Sequence, residues 1–278
     1  MTEGEDELAV AGLTLRGVTR GGIQTCLMVP ELDLMFDVGG SVRGQLRFAR
    51  ILVTHGHQDH LGGLPYLISQ RQLAGLPPPQ VHVPAEIEAP LRRIFGAWSE
   101  IEGFELALEL VPHVPGDVVD LGRGVRASCV RSVHRVPSLS WIVERTTARL
   151  LPELVGRSGA ELAAMRAAGD STTEEHTVAV LAVSGDTQIE LFEREPRLQR
   201  AKVLVHEVTA WDDRRSVEQT RSWGHTHVDE LIAIAERFEG DALVLVHRSP
   251  RHTRRDAEAI VRTRFPASVR HKVHVFGD

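Results

Sequence analysis

The segment Ile51-Leu-Val-Thr-His-Gly-His-Gln-Asp-His-Leu-Gly-Gly63 decides the fold of this chain, because a short apolar run directly precedes a dense group of polar side chains. The run Ile51 to Val53 is typical of a buried strand that ends where the polar residues begin. Three histidines and one aspartate then crowd into a single turn: His55, His57, Asp59 and His60. Imidazole and carboxylate groups bind zinc in sites without cysteine. The segment therefore predicts a metal site at the end of a strand.

Four further apolar runs predict strands that end in the same kinds of residue. The runs are Leu32 to Phe36, Val178 to Val183, Val203 to Val205 and Leu243 to Val246. The residues after them are Asp37, Ser184-Gly185-Asp186, His206-Glu207 and His247. In layered α/β folds, ligand groups collect at the carboxyl ends of the strands. We therefore expect these distant segments to meet the histidine cluster in one site.

Helical patterns alternate with the predicted strands and favour an α/β fold. They cover Gly62 to Gln72, Gly159 to Ala168, His227 to Phe238 and about Arg254 to Phe265. Ser158 with Glu161, and Thr253 with Asp256, have the spacing of capping boxes that open two of these helices.

Composition narrows the class of protein. Of the 278 residues, 42% are hydrophobic and 25% are charged, as in an ordinary folded enzyme. The net charge of −6 argues against a general nucleic-acid binder, although a local basic face remains possible. Cys26 and Cys129 form no CxxC pair, so a cysteine-based zinc knuckle is not indicated. With no export signal and no apolar run long enough to span a membrane, we expect a cytoplasmic protein.

The spacing of residues 55–60 resembles the HxHxDH signature of the metallo-β-lactamase superfamily. The resemblance implies an α/β fold of the αββα sandwich type, with two mixed sheets flanked by helices. It also implies two zinc ions, with manganese or iron as alternatives. Asp59 is expected to accept the proton of the nucleophile, and Asp186 and a hydroxide are expected to bridge the ions. The implied ligands are His55, His57 and His134 for one ion and Asp59, His60 and His247 for the other.

Two more segments resemble ribonuclease Z, the family of tRNA 3′-processing endonucleases: Val205-His206-Glu207-Val208-Thr209 and Gly224-His225-Thr226-His227. In that family a glutamate orients a histidine that protonates the leaving 3′ oxygen, and Glu207 and His225 are the matching residues. An alkoxide departs poorly unless it is protonated. His206 would point the opposite way from Glu207 in a strand, so Glu207 is the one we expect to face the site. His227 is either a substrate-binding residue or a helix cap.

The resemblance is closest to the short, plant-type form and extends over nearly the whole chain. It implies one domain over residues 1–278, with a small inserted arm at about 150–177, and a homodimer. The closing segment His247-Arg248-Ser249-Pro250-Arg251-His252 keeps the family's histidine, serine and arginine, and Arg251 is a candidate substrate contact. It differs in carrying His252 where the family usually has tyrosine.

The leading hypothesis is a zinc-dependent phosphodiesterase that removes the 3′ trailer from precursor tRNA by means of a metal-bound hydroxide. The acidic net charge and the few basic residues of the arm, Arg157 and Arg166, leave open a second substrate class. That alternative is a phosphodiesterase for cyclic nucleotides or similar small esters. A third alternative, a non-catalytic scaffold, ranks last because no ligand of the set is missing.

Overall fold

Two seven-stranded sheets form the centre of the computed structural model, which describes residues 5–277. In the first sheet the strands lie side by side in chain order: β1 (Asp6–Val10), β2 (Leu13–Arg20), β3 (Gln24–Val29), β4 (Leu34–Phe36), β5 (Arg50–Leu52), β6 (Gln80–Pro84) and β7 (Glu109–His113). The second sheet has the order β14-β13-β12-β11-β10-β9-β8. Its strands are β8 (Val118–Gly122), β9 (Val125–Arg131), β10 (Leu139–Leu150), β11 (Thr173–Val183), β12 (Val203–Glu207), β13 (Ala242–Val246) and β14 (Val273–Val275).

Both sheets are mixed, as the sequence predicts. Strands β1 to β4 pair antiparallel, whereas β4 to β7 pair parallel. In the second sheet β8 to β11 pair antiparallel and β11 to β14 pair parallel. Because parallel strands end at the same edge, the loops after β4, β5, β11, β12 and β13 have the geometry that gathers ligand groups.

Apolar side chains from both sheets fill the space between them. Phe36 and Leu52 of the first sheet belong to the same buried cluster as Trp141 and Val183 of the second. Two further buried clusters lie under the helices. The helices are α1 (Gln58–Leu61), α2 (Leu64–Leu73), α3 (Ala85–Glu102), α4 (Gly159–Ala167), α5 (Leu191–Arg194), α6 (Val217–Ser222), α7 (Val228–Ile234), α8 (Arg254–Arg264) and α9 (Ala267–Arg270). The αββα sandwich is therefore confirmed.

The segment between β10 and β11 carries α4 and lies far from the predicted ligands. These two strands pair from Trp141 and Val183 to Leu150 and Thr173, with one shift of register between Val143 and Glu144. Ser138, just before β10, forms a backbone bridge with His55, so β10 runs away from the histidine cluster. The predicted arm at about 150–177 spans the tip of this hairpin. Within the described residues, no helix is both long and apolar enough to cross a membrane.

Candidate metal centre and proton donor

Loops after the parallel strands bring the predicted ligands together. His55 follows β5, Asp186 follows β11 and His247 follows β13. The two sheets are joined at this edge, because the Leu139 amide donates to the Thr54 carbonyl at 2.8 Å. The strand ends of both sheets therefore face one site.

His55, His57 and His134 form the first group of donor atoms. The Nδ1 atom of His57 lies 3.0 Å from His55 Nε2 and 3.4 Å from His134 Nε2. Asp186 Oδ2 lies 3.6 Å from His55 Nε2. Ligand atoms of these four residues all lie within 4.8 Å of one another.

Asp59, His60 and His247 form the second group. His247 Nε2 lies 3.3 Å from Asp59 Oδ2 and 3.4 Å from Asp186 Oδ1. His60 Nε2 lies 3.3 Å from the same Asp186 oxygen. Asp186 thus presents Oδ2 to the first group and Oδ1 to the second, which is the placement that a shared ligand requires.

Four of the histidines are held through Nδ1, which leaves Nε2 directed into the site. The contacts are His55 with Thr54 Oγ1 at 3.1 Å, His60 with Asp37 Oδ2 at 2.8 Å, His134 with the Gly224 carbonyl at 2.7 Å, and His247 with Thr209 Oγ1 at 3.0 Å. An Nδ1–H group that donates to such an acceptor fixes the tautomer whose Nε2 lone pair can bind a metal.

These residues fit divalent metal ions. Zinc bonds of 2.0–2.2 Å in tetrahedral geometry separate neighbouring donor atoms by roughly 3.3 Å. The donor pairs described above lie between 3.0 and 3.6 Å apart. Two buried donor atoms, His60 Nε2 and Asp186 Oδ1, have no hydrogen-bond partner within the described part of the chain. Such atoms are costly to bury unless a cation binds them.

Protonation of the first group also suits metal binding. Burial lowers the pKa of His55, His57 and His134, so these imidazoles are neutral at neutral pH. Neutral imidazole is the form that ligates a metal. His60 differs, because the carboxylates of Asp186 and Asp37 outweigh its burial and raise its pKa well above the usual range.

Asp37 and Thr209 contact two of the predicted ligands, although the sequence had placed only Asp37 near the site and had given neither residue a role. Asp37 adopts a left-handed backbone with φ 57° and binds three groups: the Thr54 amide at 2.7 Å, the Thr54 hydroxyl at 2.8 Å and His60 Nδ1. Thr209 Oγ1 contacts His247 Nδ1 and donates to Glu207 Oε2 at 2.8 Å. The position of Asp37 directly after β4 is the sequence feature that indicates a place for it near the site. No sequence feature distinguishes Thr209, because hydroxyl residues are common after strands.

His225 and Glu207 form the predicted pair. His225 Nδ1 lies 2.9 Å from Glu207 Oε1, and the same oxygen accepts from the Thr187 and Thr226 amides at 3.1 Å. The His225 ring lies 5.2 Å from the His134 ring and 5.4 Å from the His247 ring, so it borders both donor groups. Burial lowers the pKa of His225, but the charge and hydrogen bond of Glu207, together with the charge of Asp186, outweigh it and raise the value to about 9.

Other predicted residues occupy the surroundings of this pair. Strand β12 turns His206 away from the site, against the Phe192 ring at 4.7 Å. His227 is almost fully buried and caps α7 by accepting from the Asp229 amide, which favours the helix-cap interpretation. Arg251 is exposed. His252 is buried, with Nδ1 3.6 Å from Asp212 Oδ2.

Comparison with known proteins agrees with this geometry. Residues 40–126 match the metallo-beta-lactamase superfamily model. The chain is 31% identical to tRNase Z TRZ1 of Arabidopsis thaliana, over 93% of this chain and 93% of that protein. Among solved structures, the metallo-beta-lactamase fold protein YhfI from Bacillus subtilis aligns with a TM-score of 0.64 at 13% identity, covering 93% of both chains. The short form of human tRNase Z aligns with a TM-score of 0.55 at 19% identity, covering 98% of this chain and 92% of that one.

The sandwich, the two donor groups at its edge and the matching family model define a hydrolase of the metallo-β-lactamase superfamily. The sequence identity to a plant relative, over nearly the full length of both proteins, allows the family within this superfamily to be assigned. Within the superfamily, the chain belongs to the tRNase Z family.

Proposed function

We propose that this protein is an endoribonuclease that removes the 3′ trailer from precursor tRNA with the help of two zinc ions. The observation that carries the proposal is the pair of His225 and Glu207 beside the two donor groups. A phosphodiesterase that acts on an alkyl ester must protonate a poor leaving group, and this pair supplies a positioned proton donor. The names of the relatives, tRNase Z and ribonuclease Z, support RNA as the substrate.

The chain's own residues divide the chemistry between them. Bound metal ions would lower the pKa of a coordinated water and stabilise charge on the phosphate. His225 is held at Nδ1 by Glu207, so its Nε2 is the atom that would give a proton to the leaving 3′ oxygen. Burial raises the pKa of Asp59, but a hydrogen bond with His247 and the charges of His60 and His247 together outweigh it and hold the value at about 2. Asp59 is therefore a carboxylate at neutral pH and can accept the proton of the attacking water.

Zinc, rather than manganese or iron, is supported by the preponderance of histidine donors and by their spacing. All seven predicted ligands take part in the two donor groups, so the proposal assigns three to each ion and shares Asp186 between them. A homodimer, which the family resemblance implies, and the expected cytoplasmic location belong to the same proposal. Arg251, exposed and four positions after His247, is proposed to contact phosphate.

Cleavage of a 5′-labelled precursor tRNA by zinc-loaded protein tests the proposal. We expect a product that ends in a 3′-hydroxyl, and loss of that product in Asp59→Ala. Asp229→Ala serves as the matched control, because Asp229 is a carboxylate on α7 outside both donor groups. Hydrolysis of bis-p-nitrophenyl phosphate is measured in parallel. Diester hydrolysis without tRNA cleavage would retain the metal chemistry and assign the site to small phosphodiesters instead.

A further inference from the structure

An exposed tryptophan stands next to the proposed proton donor. Trp223 directly precedes Gly224 and His225, and 37% of its surface is exposed. The backbone of Gly224 lies against the first donor group, because its carbonyl binds His134 Nδ1 and an added Cβ would meet that atom at 2.6 Å. The loop that holds His225 in place therefore also fixes Trp223 at the rim of the site.

Two arginines without carboxylate partners lie close to this loop, one against Trp223 and one against Gly224. The guanidinium carbon of Arg215 lies 5.1 Å from the centre of the Trp223 ring. The Arg135 amide is the second atom that an added Cβ on Gly224 would approach, at 3.1 Å. Within residues 5–277 neither arginine forms an ion pair with a carboxylate. By contrast, Arg214, next to Arg215 in the chain, pairs with Asp212 at 2.6 Å.

We propose that Trp223 is a stacking platform for the base of the nucleotide whose 3′ oxygen leaves, with Arg215 and Arg135 close to the adjoining phosphates. The inference rests on the proposed function, because it takes the leaving oxygen to lie at His225 Nε2. A nucleoside whose 3′ oxygen contacts that atom must place its base within a few ångströms of the rim. The exposed aromatic ring of Trp223 stands at that rim, one residue from Gly224.

The chemistry of the rim suits a single-stranded nucleotide. Tryptophan offers a flat face on which any base can stack, and unpaired guanidinium groups attract phosphate oxygens. The protein as a whole carries a net charge of −6, so the free cations at this rim form a local exception. Because stacking is indifferent to base identity, the platform would position the nucleotide without selecting its sequence.

A second exposed tryptophan provides a matched control. Trp98 on α3 is 42% exposed and lines a separate apolar groove with Ile94 and Gln58. The two remaining tryptophans, Trp141 and Trp211, are fully buried. A change in tryptophan fluorescence on RNA binding can therefore be assigned to Trp223 or Trp98 by replacing each in turn with phenylalanine.

The decisive experiment compares intact precursor tRNA with the same RNA lacking the base on the nucleotide that bears the leaving oxygen. For intact RNA, we expect Trp223→Ala to lower kcat/KM roughly 5- to 150-fold, the range for loss of one stacked base, and mainly through KM. On the abasic RNA, Trp223→Ala and the unaltered protein should be equal. Trp223→Phe should restore most of the rate on intact RNA, and Trp98→Ala should leave it unchanged.

Equal losses on intact and abasic RNA in Trp223→Ala would overturn the proposal, since they would indicate a structural role. Titration with a short single-stranded RNA adds a readout that does not depend on cleavage. We expect quenching that persists in Trp98→Phe and disappears in Trp223→Phe. Quenching at Trp223 without any tRNA cleavage by the zinc-loaded protein would refute the proposed function and would retain Trp223 only as a stacking site for single-stranded RNA. Quenching that is lost in Trp98→Phe instead would refute the platform alone.

Discussion

At the scale of single residues, motif spacing predicted four of the seven ligands, and the family resemblance supplied the other three. The HxHxDH spacing forces His55, His57, Asp59 and His60 into one turn, so sequence was sufficient for them. The contacts of Asp37 with His60 and of Thr209 with His247 appear only in three dimensions, although the position of Asp37 after a strand already placed it near the site. Asp37, 23 positions before His60, reaches it because β4 and β5 are parallel neighbours. No short motif encodes such a contact.

Replacement of the proton donor should affect substrates according to their leaving group. In His225→Ala we expect kcat/KM for precursor tRNA to fall about 10²- to 10⁴-fold, the usual contribution of a general acid. Bis-p-nitrophenyl phosphate, whose phenolate leaves without protonation, should lose far less. Zinc content, measured by elemental analysis, controls for damage to the donor groups. A similar loss on both substrates would argue against a proton-donor role.

Removal of the charge beside His225 should shift the pH dependence of RNA cleavage. A proton donor works below its pKa, and Glu207 raises the pKa of His225. Activity that depends on protonated His225 is therefore present at low pH and is lost as pH rises through that value. In Glu207→Gln we expect the alkaline limb of the kcat/KM profile to move to lower pH. If the alkaline limb of the profile does not move, the group that titrates there is not His225.

At the scale of helices and strands, capping residues predicted where helices begin better than apolar periodicity predicted where they end. The capping boxes Ser158 with Glu161 and Thr253 with Asp256 are present where the sequence placed them. The helix predicted over His227 to Phe238 ends earlier, because α7 stops at Ile234 and a turn of 3-10 helix follows. Apolar periodicity continues through that turn, so the pattern could not show the change in hydrogen bonding.

The sequence also could not predict which strands pair with each other. His82 and His113 are 31 positions apart and show no shared motif. Because β6 and β7 are parallel neighbours, His82 Nδ1 and His113 Nε2 lie 2.8 Å apart. Their rings pack against Trp141 of the opposite sheet. This buried contact could not be inferred without the strand order.

Trp141 should be a principal support of the edge that carries the ligands. Its ring is fully buried between the sheets, and its indole N–H donates to the Val53 carbonyl at 3.1 Å. In Trp141→Phe we expect the free energy of unfolding to fall by about 2–3 kcal/mol, through a cavity and an unpaired carbonyl. Urea denaturation measures the change. Trp98→Phe, at an exposed position, should change it by less than about 0.5 kcal/mol, and equal effects would contradict this assignment.

At the scale of the whole molecule, the site exists only because two sheets meet. His55 and Asp59 come from the first sheet's loops, whereas Asp186 and His247 come from the second. Sequence could predict that strand ends would converge, because parallel strands share an edge. The apolar pattern could not predict which sheet each strand joins, so the expectation that Asp186 lies between the two donor groups came from the family resemblance alone.

Metal ions should therefore stabilise the contact between the two halves. At free zinc 100 times the dissociation constant, a site present only in the folded chain adds about 2.7 kcal/mol. For a chain of this size we expect Tm to rise by roughly 5–10 °C, as followed by calorimetry. Asp186→Asn should lose most of the rise, because this carboxylate contacts both donor groups. A rise that survives in Asp186→Asn would place zinc elsewhere.

The most direct test of the account is a titration of metal-free protein with zinc while cleavage of precursor tRNA is followed. The two donor groups predict no cleavage without metal and a plateau when two zinc ions are bound per chain. Cleavage that persists in a chelator, or a plateau at one ion per chain, would contradict a shared two-metal site.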